Sequence, residues 1–391
     1  MAAMLQALGM AFAMFWEILW ALILGFGLSA IVQAVVGKGR IVRLLPDDSP
    51  RTLAVACALG AASSSCSYAA VALARSLFRK GANFTAAMAF MLASTNLVAE
   101  LGIVMAILLG GRFTAAEFAG APLMVAILAL LFRRFLKRSM VDEARRQADR
   151  GIAGKMEGHA AMDMSVADGG GSIWRRIGSP PGFTAISHSF VMDWAAVWKD
   201  VAGGLLIAGA LAAWVPASWW NVFFLANHPR LALLWGPLVG PLVAILSFVC
   251  SVGNVPLAAV LWNGGSSFGG VIAFIYADLV VLPMLDIYRR YYGGRMAAFL
   301  LVTMYAAMAG AALIVELAFQ ALHLVPSERH ARIVGASIAM NYTTVLDLIF
   351  LAIAGALLWR FFSTRGLDML RAMDKMPQEP HGAATAHAHR P

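Results

Sequence analysis

The chain has 391 residues, of which 61% are apolar and only 13% charged. That balance excludes an ordinary water-soluble globular domain and makes lipid the main solvent. The formal charge of +9 gathers at the ends of apolar stretches and in one loop, which fits cytoplasmic loops beside anionic lipid, and no nucleic-acid-binding motif accompanies it.

The first apolar stretch, Phe12–Val36, has no cationic leader and no convincing cleavage site, so it reads as a retained span. Ala86–Leu109, Ala115–Phe135, Met296–Leu322 and Gly335–Phe361 also exceed the roughly 18 apolar residues that mark a crossing helix. Two other apolar stretches are interrupted near their middles. Thr52–Phe78 contains Ser63-Ser64-Ser65-Cys66-Ser67, and Pro237–Asn263 contains Cys250-Ser251-Val252-Gly253-Asn254-Val255-Pro256. Each is either a continuous helix carrying polar residues or a re-entrant hairpin whose two short limbs meet at a non-helical tip. Cys57, Cys66 and Cys250 all lie in apolar stretches, where free thiols are expected rather than disulfides.

The chain is also written twice. Shifted by 184 residues, Ser63–Ala93 aligns with Ser247–Ala277 and 12 of the 31 positions are identical. About 3 identities are expected by chance in so biased a composition. The same shift carries the first span onto Val197–Trp220 and the fourth onto Phe299–Phe319. The expected fold is therefore an all-α polytopic membrane protein of two repeats, residues 11–137 and 191–323, each with four apolar segments. A polar linker (138–190), loosest at Asp168-Gly169-Gly170-Gly171-Ser172, separates them. An extra C-terminal span (331–362) and a polar tail (363–391) follow.

The distribution of Lys and Arg discriminates between the two readings of the interrupted segments. Nine full crossings divide the 30 basic residues 16 to 14, which is no bias. Two hairpins leave seven crossings and a division of 26 to 4, with the linker and C-terminus inside. The positive-inside rule favours hairpins, although the long linker contributes much of that difference. Hairpins make the repeats inverted, with tips that meet near the membrane midplane, where inverted-repeat transporters bind their solutes. They also put Phe113 and Asn263 on one side of the membrane, whereas nine crossings put them on opposite sides.

Cys66 and Cys250 occupy equivalent positions at the two breaks. Facing thiols can hold a soft, thiophilic solute, while the plainer role is that of small buried hydrophobes. Ser64, Ser65, Ser67, Ser251 and Asn254 add hydroxyl and amide groups for a polar pocket, or else serve helix packing. Gly253 and Pro256 fit a chain that leaves one helix and starts the next. Acids inside spans are functional candidates. Glu100 and Asp278 are read as proton-coupling groups, with a structural hydrogen bond as the alternative; Asp278 aligns with Ser94. Asp347 is an intramembrane acid of the last span, and Glu17, Asp286 and Glu316 sit nearer span ends. His159 and Met162 in the linker suit weak binding of a soft metal, against a plain solvated loop. No Walker loop, zinc spacing or nucleophile triad is present, so neither an enzyme nor a cofactor is expected.

Cys66-Ser67, followed by Ala74-Arg75-Ser76-Leu77-Phe78-Arg79-Lys80-Gly81-Ala82 and Ala89-Phe90, and Cys250-Ser251-Val252-Gly253-Asn254-Val255-Pro256-Leu257 with Gly264-Gly265, resemble the ArsP-type predicted permeases from about Met14 to Phe362. The resemblance implies a secondary permease of the inner membrane. Members of that family are implicated in efflux of trivalent organoarsenicals, and others are tied to divalent heavy metals. This chain has Ser-Ser-Ser before Cys66 where the arsenical exporters have further cysteines, which leaves two thiols for a monosubstituted arsenical. The expected partners are a small solute or ion and membrane lipid, with a homo-oligomer left open. Two other readings stand beside efflux: a membrane scaffold or sensor with a metal-reading Met/His loop, and an importer or channel for a sulfur-containing or oxyanionic solute.

Overall fold

The computed structural model describes residues 2–35, 44–63, 67–149, 175, 177–214, 219, 222–225, 228–247, 251–329, 331 and 342–368. The described residues are helical apart from turns. The helices are α1 (Ala2–Val35), α2 (Pro50–Ser63), α3 (Ser67–Arg79), α4 (Phe84–Asn96), α5 (Ala99–Leu108), α6 (Gly111–Phe135) and α7 (Arg138–Asp149). They continue with α8 (Pro180–Trp214), α9 (Pro229–Ser247), α10 (Ser251–Asn263), α11 (Phe268–Tyr276) with a 3-10 turn at Ala277–Leu279, α12 (Leu282–Tyr292), α13 (Gly294–Ala321) and α14 (Tyr342–Ser363). Five described helices are long and apolar enough to cross a membrane, and up to seven if each of two bent pairs is one span. The chain is thus a multi-pass membrane protein, as hydrocarbon requires of backbone groups that must find their partners within the helix.

Local structure repeats at the 184-residue shift. α3 and α10 start and end at equivalent residues, and Ser63 and Ser247, which close α2 and α9, each donate through Oγ to the carbonyl three residues back at 2.9 Å. Both α3 and α10 end in the same pair of bonds. Gly81 N reaches Phe78 O and Ala82 N reaches Leu77 O; Gly265 N reaches Trp262 O and Ser266 N reaches Leu261 O. That is the Schellman closure, and its left-handed residue is glycine in both copies, at φ 109° and 103°. Asn83 then caps α4 and Ser267 caps α11.

Equivalent arginines hold the two turns. Arg145 lies 4.3 Å over the Phe78 ring and donates to Ala82 O at 3.5 Å. Arg329 lies 4.6 Å over the Trp262 ring and donates to Trp262 O at 3.0 Å and Ser266 O at 2.8 Å.

Chain direction follows from close approaches. Asn83 N donates to Leu45 O at 2.9 Å, so the α2–α3 pair returns to the level at which it started. In the second half α9 runs parallel to α11: a side chain at Gly236 would strike Ser267, and one at Gly240 would strike Gly270 O and Phe274 N. The α9–α10 pair therefore also doubles back. By contrast, α1 and α8 run antiparallel, with Gly209 against Ala7 and Ala11 and the Trp194 ring 5.2 Å from Phe26. α6 and α13 are antiparallel too, since Gly120 faces Val315 while Phe132 lies 5.4 Å from Phe299.

The bundle has two aromatic ends. One gathers Phe78, Phe84, Phe132, Tyr292 and Phe299. The other gathers Phe113, Trp262, Phe268 and Phe319, with Phe113 and Trp262 5.0 Å apart. Residue 113 and the residue beside Asn263 thus share one end.

Two boundaries differ from the sequence reading. The first twelve residues of the expected linker form α7, which packs on α3, α12 and α13. Arg75 of α3 is buried, donates to Ala148 O at 2.7 Å near the end of α7 and lies 4.3 Å over the Tyr291 ring. The last residues of the linker, from Pro180 on, belong to α8. α8 runs on toward α14, where Ser187 Oγ donates to Leu357 O at 2.6 Å and His188 Nε2 meets Thr364 Oγ1 at 2.8 Å.

Candidate functional site

The site forms where helices stop inside the bundle. In the first half, the crossing formed by α4 and α5 is interrupted at Leu97 and Val98. In the second, α11 passes through its 3-10 turn and restarts as α12 with a 41° bend. Ser94, Thr95 and Asn96 end α4 and are all fully buried, and so is Asp278 in the 3-10 turn. A helix end leaves backbone groups without intrahelical partners, so it draws polar side chains even in an apolar setting. Accordingly Ser94 Oγ donates to Met91 O at 2.8 Å and Asn96 Nδ2 to Leu92 O at 3.1 Å and Thr95 Oγ1 at 3.0 Å.

The first residue of α3 reaches this region from the other half of the chain. Ser67 is fully buried and its Oγ donates to Asp278 Oδ2 at 2.7 Å, across 211 residues of sequence. Asp278 Oδ1 has no hydrogen-bond partner, while Thr95 and Asn96 lie close enough to act on the carboxylate. Tyr288 of α12 donates to Leu279 O at 3.0 Å beside it. Asn254, in the second turn of α10, is fully buried with neither amide atom partnered. α10 packs against both α5 and the 3-10 turn, which sets Asn254 on the second hairpin limb bordering the same region.

Of the residues singled out from sequence, then, Ser67 and Asp278 are in direct contact and Asn254 lies on the neighbouring limb. Glu100 is buried in the first turn of α5 with its Cβ against Gly25 of α1. Ser251 is the first residue of α10. Gly253 and Pro256 were expected at the break but lie inside α10, which has already started at Ser251. Pro256 stands sixth in this helix, where it removes the one backbone bond that would reach Val252 O. Ser64, Ser65, Cys66, Cys250, His159 and Met162 lie outside the described residues. Among the described residues no group of three or more His, Cys, Asp or Glu side chains is placed to hold a metal ion.

The other acids have local tasks. Asp347 of α14 accepts from Trp20 N at 2.8 Å, just beyond a 48° bend in α1. Glu316 accepts from Gly269 N at 2.9 Å at the start of α11. Asp286 pairs with Arg289 and Arg290 at 2.8 and 2.6 Å.

Glu117 was missed. It is fully buried in α6, neither carboxylate oxygen has a partner, and it interacts electrostatically with Asp278 and Tyr276. Its signal was available, an acid within an apolar helix, but it falls early in its stretch and its partners are about 160 residues away.

An apolar cavity of about 360 Å³ lies elsewhere, between α1, α8 and α14, lined by Phe15, Leu19, Trp194 and Leu351 among others. Its walls offer nothing to a polar solute.

A multi-pass helical bundle with helix breaks and buried polar groups in its interior is an arrangement that membrane permeases use. The chain belongs to the ArsP_1 family, described as a predicted permease, which matches residues 3–317. It is also 63% identical, over 347 residues, to "Putative permease Rv2963" of Mycobacterium tuberculosis (strain ATCC 25618 / H37Rv), a match covering 89% of this chain and 85% of the relative. No solved structure matches the chain.

Proposed function

We propose that the chain is a secondary permease of the cell membrane whose halves are inverted repeats and whose solute site lies between the tips of two re-entrant hairpins. The observation that carries this is the Ser67–Asp278 hydrogen bond, which ties the residue after Cys66 to the broken crossing of the other half. The antiparallel course of α1 with α8 and of α6 with α13 supports inversion, because these are the helices that the 184-residue repeat equates. Basic residues Arg79, Lys80, Arg133 and Arg289 all belong to the end that holds Phe84 and Tyr292, which supports that end as cytoplasmic.

The solute in this reading is small and thiophilic, a trivalent monosubstituted arsenical or a soft metal species, exported by alternating access. Cys66 and Cys250 provide one sulfur from each half. With an arsenical carrying two hydroxyls, each thiol forms an As–S bond as one hydroxyl leaves with the thiol proton as water, and hydrolysis reverses the step on release. Ser67, Ser251 and Asn254 supply the polar wall, with Ser64 and Ser65 beside Cys66. Asp278 and Glu100 are the acids through which solute movement couples to protons.

The test is growth of an arsenic-sensitive host expressing wild type or the Cys66→Ser, Cys250→Ser double variant across arsenicals, antimonials and soft metals. Wild type confers resistance to at least one of them and the double variant loses it. Equal resistance in both, for every solute, removes the thiol site.

A further inference from the structure

Two carboxylates in the bundle interior remain without positive partners. Glu117 and Asp278 are both fully buried and interact with each other, and neither has a basic partner among the described residues. Both oxygens of Glu117 and Oδ1 of Asp278 accept no hydrogen bond. Two adjacent anions with no counter-charge are not tolerated away from water; such a pair binds a cation or shares protons.

We infer that Glu117 and Asp278 form a proton-binding pair that carries the coupling ion of the transport cycle, a role that rests on the permease reading above. The depth fits. Glu117 is six residues from the start of α6 and Asp278 ten from the start of α11, and both helices start at the end that holds Phe113 and Phe268. At 1.5 Å per residue the two acids stand ~9 and ~15 Å in from that end, toward the middle of the hydrocarbon.

The surroundings select a proton over a metal cation. A hard cation calls for about six oxygen ligands. Beside Glu117 stands the Tyr276 hydroxyl, which is 3.5 and 3.4 Å from the carbonyls of Ala116 and Glu117. Around Asp278 stand Ser67, Thr95, Asn96 and the Tyr288 hydroxyl. Of the charged side chains on the other helices packed against α6, Arg295 is 3.8 Å from Glu143 and Glu316 binds Gly269 N, while Glu100 packs its Cβ against Gly25.

The geometry also connects the pair to the first hairpin. Ser67 occupies Oδ2 of Asp278, so a proton on Oδ1 leaves that hydrogen bond intact. When the pair loses its proton, two like charges are left in the bundle interior, one of them on the carboxylate that Ser67 binds.

The experiment uses the full chain in lipid nanodiscs. Infrared difference spectra across a pH step report protonated carboxyl groups directly, with no solute needed. Wild type shows a buried carboxyl band, and Glu117→Gln and Asp278→Asn each diminish it while circular dichroism shows the fold retained. A band that survives undiminished in both variants, or no band in wild type, overturns the pair.

Proteoliposomes then test coupling with methylarsenite as the probe, driven by a pH gradient or by a sodium gradient. The pH gradient drives uptake in wild type and the sodium gradient does not. Glu117→Gln lowers the pH-driven component by at least about fivefold, the low end of site-to-site coupling. Uptake driven by sodium overturns the choice of ion. If no form of the protein moves methylarsenite while the infrared band responds as described, the arsenical reading falls and the proton-binding pair stands.

Discussion

Arg329→Ala removes one of the two arginines that hold the hairpin turns, and the structure sets its size against that of the equivalent change at Arg145. Arg329 gives up two hydrogen bonds, at 3.0 and 2.8 Å, and a ring contact at 4.6 Å. At about 1 kcal/mol net per bond and about 0.5 kcal/mol for a cation over a ring at an exposed site, the loss is about 2.5 kcal/mol. Arg145→Ala gives up a ring contact at 4.3 Å and a bond at 3.5 Å, too long to count for much, so about 0.5 kcal/mol is lost. With an unfolding entropy of roughly 2.1 cal/mol/K per residue, these become drops in Tm of about 3 °C and about 1 °C for a chain of this length. Thermal scans of the purified protein in nanodiscs, with Arg329→Lys as a third variant, read the difference. Lys keeps the charge but not the planar fork, so it falls between wild type and Ala. A silent Arg329→Ala refutes its role in holding the turn, and an Arg145→Ala loss as large as that of Arg329→Ala refutes the weights given to the contacts of the two arginines.

Cysteines introduced at Phe113 and Asn263 in a Cys57→Ser, Cys66→Ser, Cys250→Ser background react with an impermeant thiol reagent from the same, external face of intact cells; labelling from opposite faces contradicts the doubled-back course of α9 and α10. Gly240→Leu places a side chain against Gly270 O and Phe274 N and abolishes folded protein in size-exclusion profiles, whereas Gly27→Ala, with nothing within 4 Å, leaves the yield unchanged. The Asp47 carboxyl is held below its ordinary value of 3.8 by the Thr52 and Ser49 hydroxyls and the Ser49 amide. Its contribution to stability is therefore complete above that value and is lost as pH falls through the lowered one. Asp47→Asn removes that part of the acid dependence of Tm below about pH 4, and an unchanged acid limb counts against the cap.

The duplicated scaffold was legible because the repeated block carries its own punctuation: Ser63 and Ser247, Gly81 and Gly265, Asn83 and Ser267 are structural stops at which few residue types work. The expectation of hairpins came from a different signal, the asymmetry of Lys and Arg, which reports on lipid rather than on packing. What failed to show was structure whose partners are remote. α7 reads as a polar linker because one face carries charges, yet Ala144 and Ala148 are buried against the bundle. The start of α8 was hidden by Ser187 and His188, polar residues whose partners lie 170 or more positions away on α14 or just beyond it. Asp278 stood out as an intramembrane acid and Ser67 through the repeat, but nothing local joins them. Gly253 and Pro256 misled because their usual place at helix starts does not say whether the helix begins before or after them.

The repeat also shows what was not duplicated. Asp278 is equivalent to Ser94, Glu117 to Leu301, and Asn254 to Ala70, so each of these polar groups exists in one copy. Glu117 belongs to the first half and Asp278 to the second, so the two acids face the interior from both halves without symmetric counterparts, and Ser67 of the first half also reaches Asp278. A scaffold of two like halves can present its interior to either face of the membrane with nearly equal ease, because each half makes the same internal contacts in either orientation. Single-copy charge breaks that balance. Whatever binds at Asp278 and Glu117 has no symmetry-equivalent site elsewhere in the repeat, so it shifts the equilibrium between the two orientations instead of stabilising both equally, which is the condition an ion must meet to drive transport in one direction.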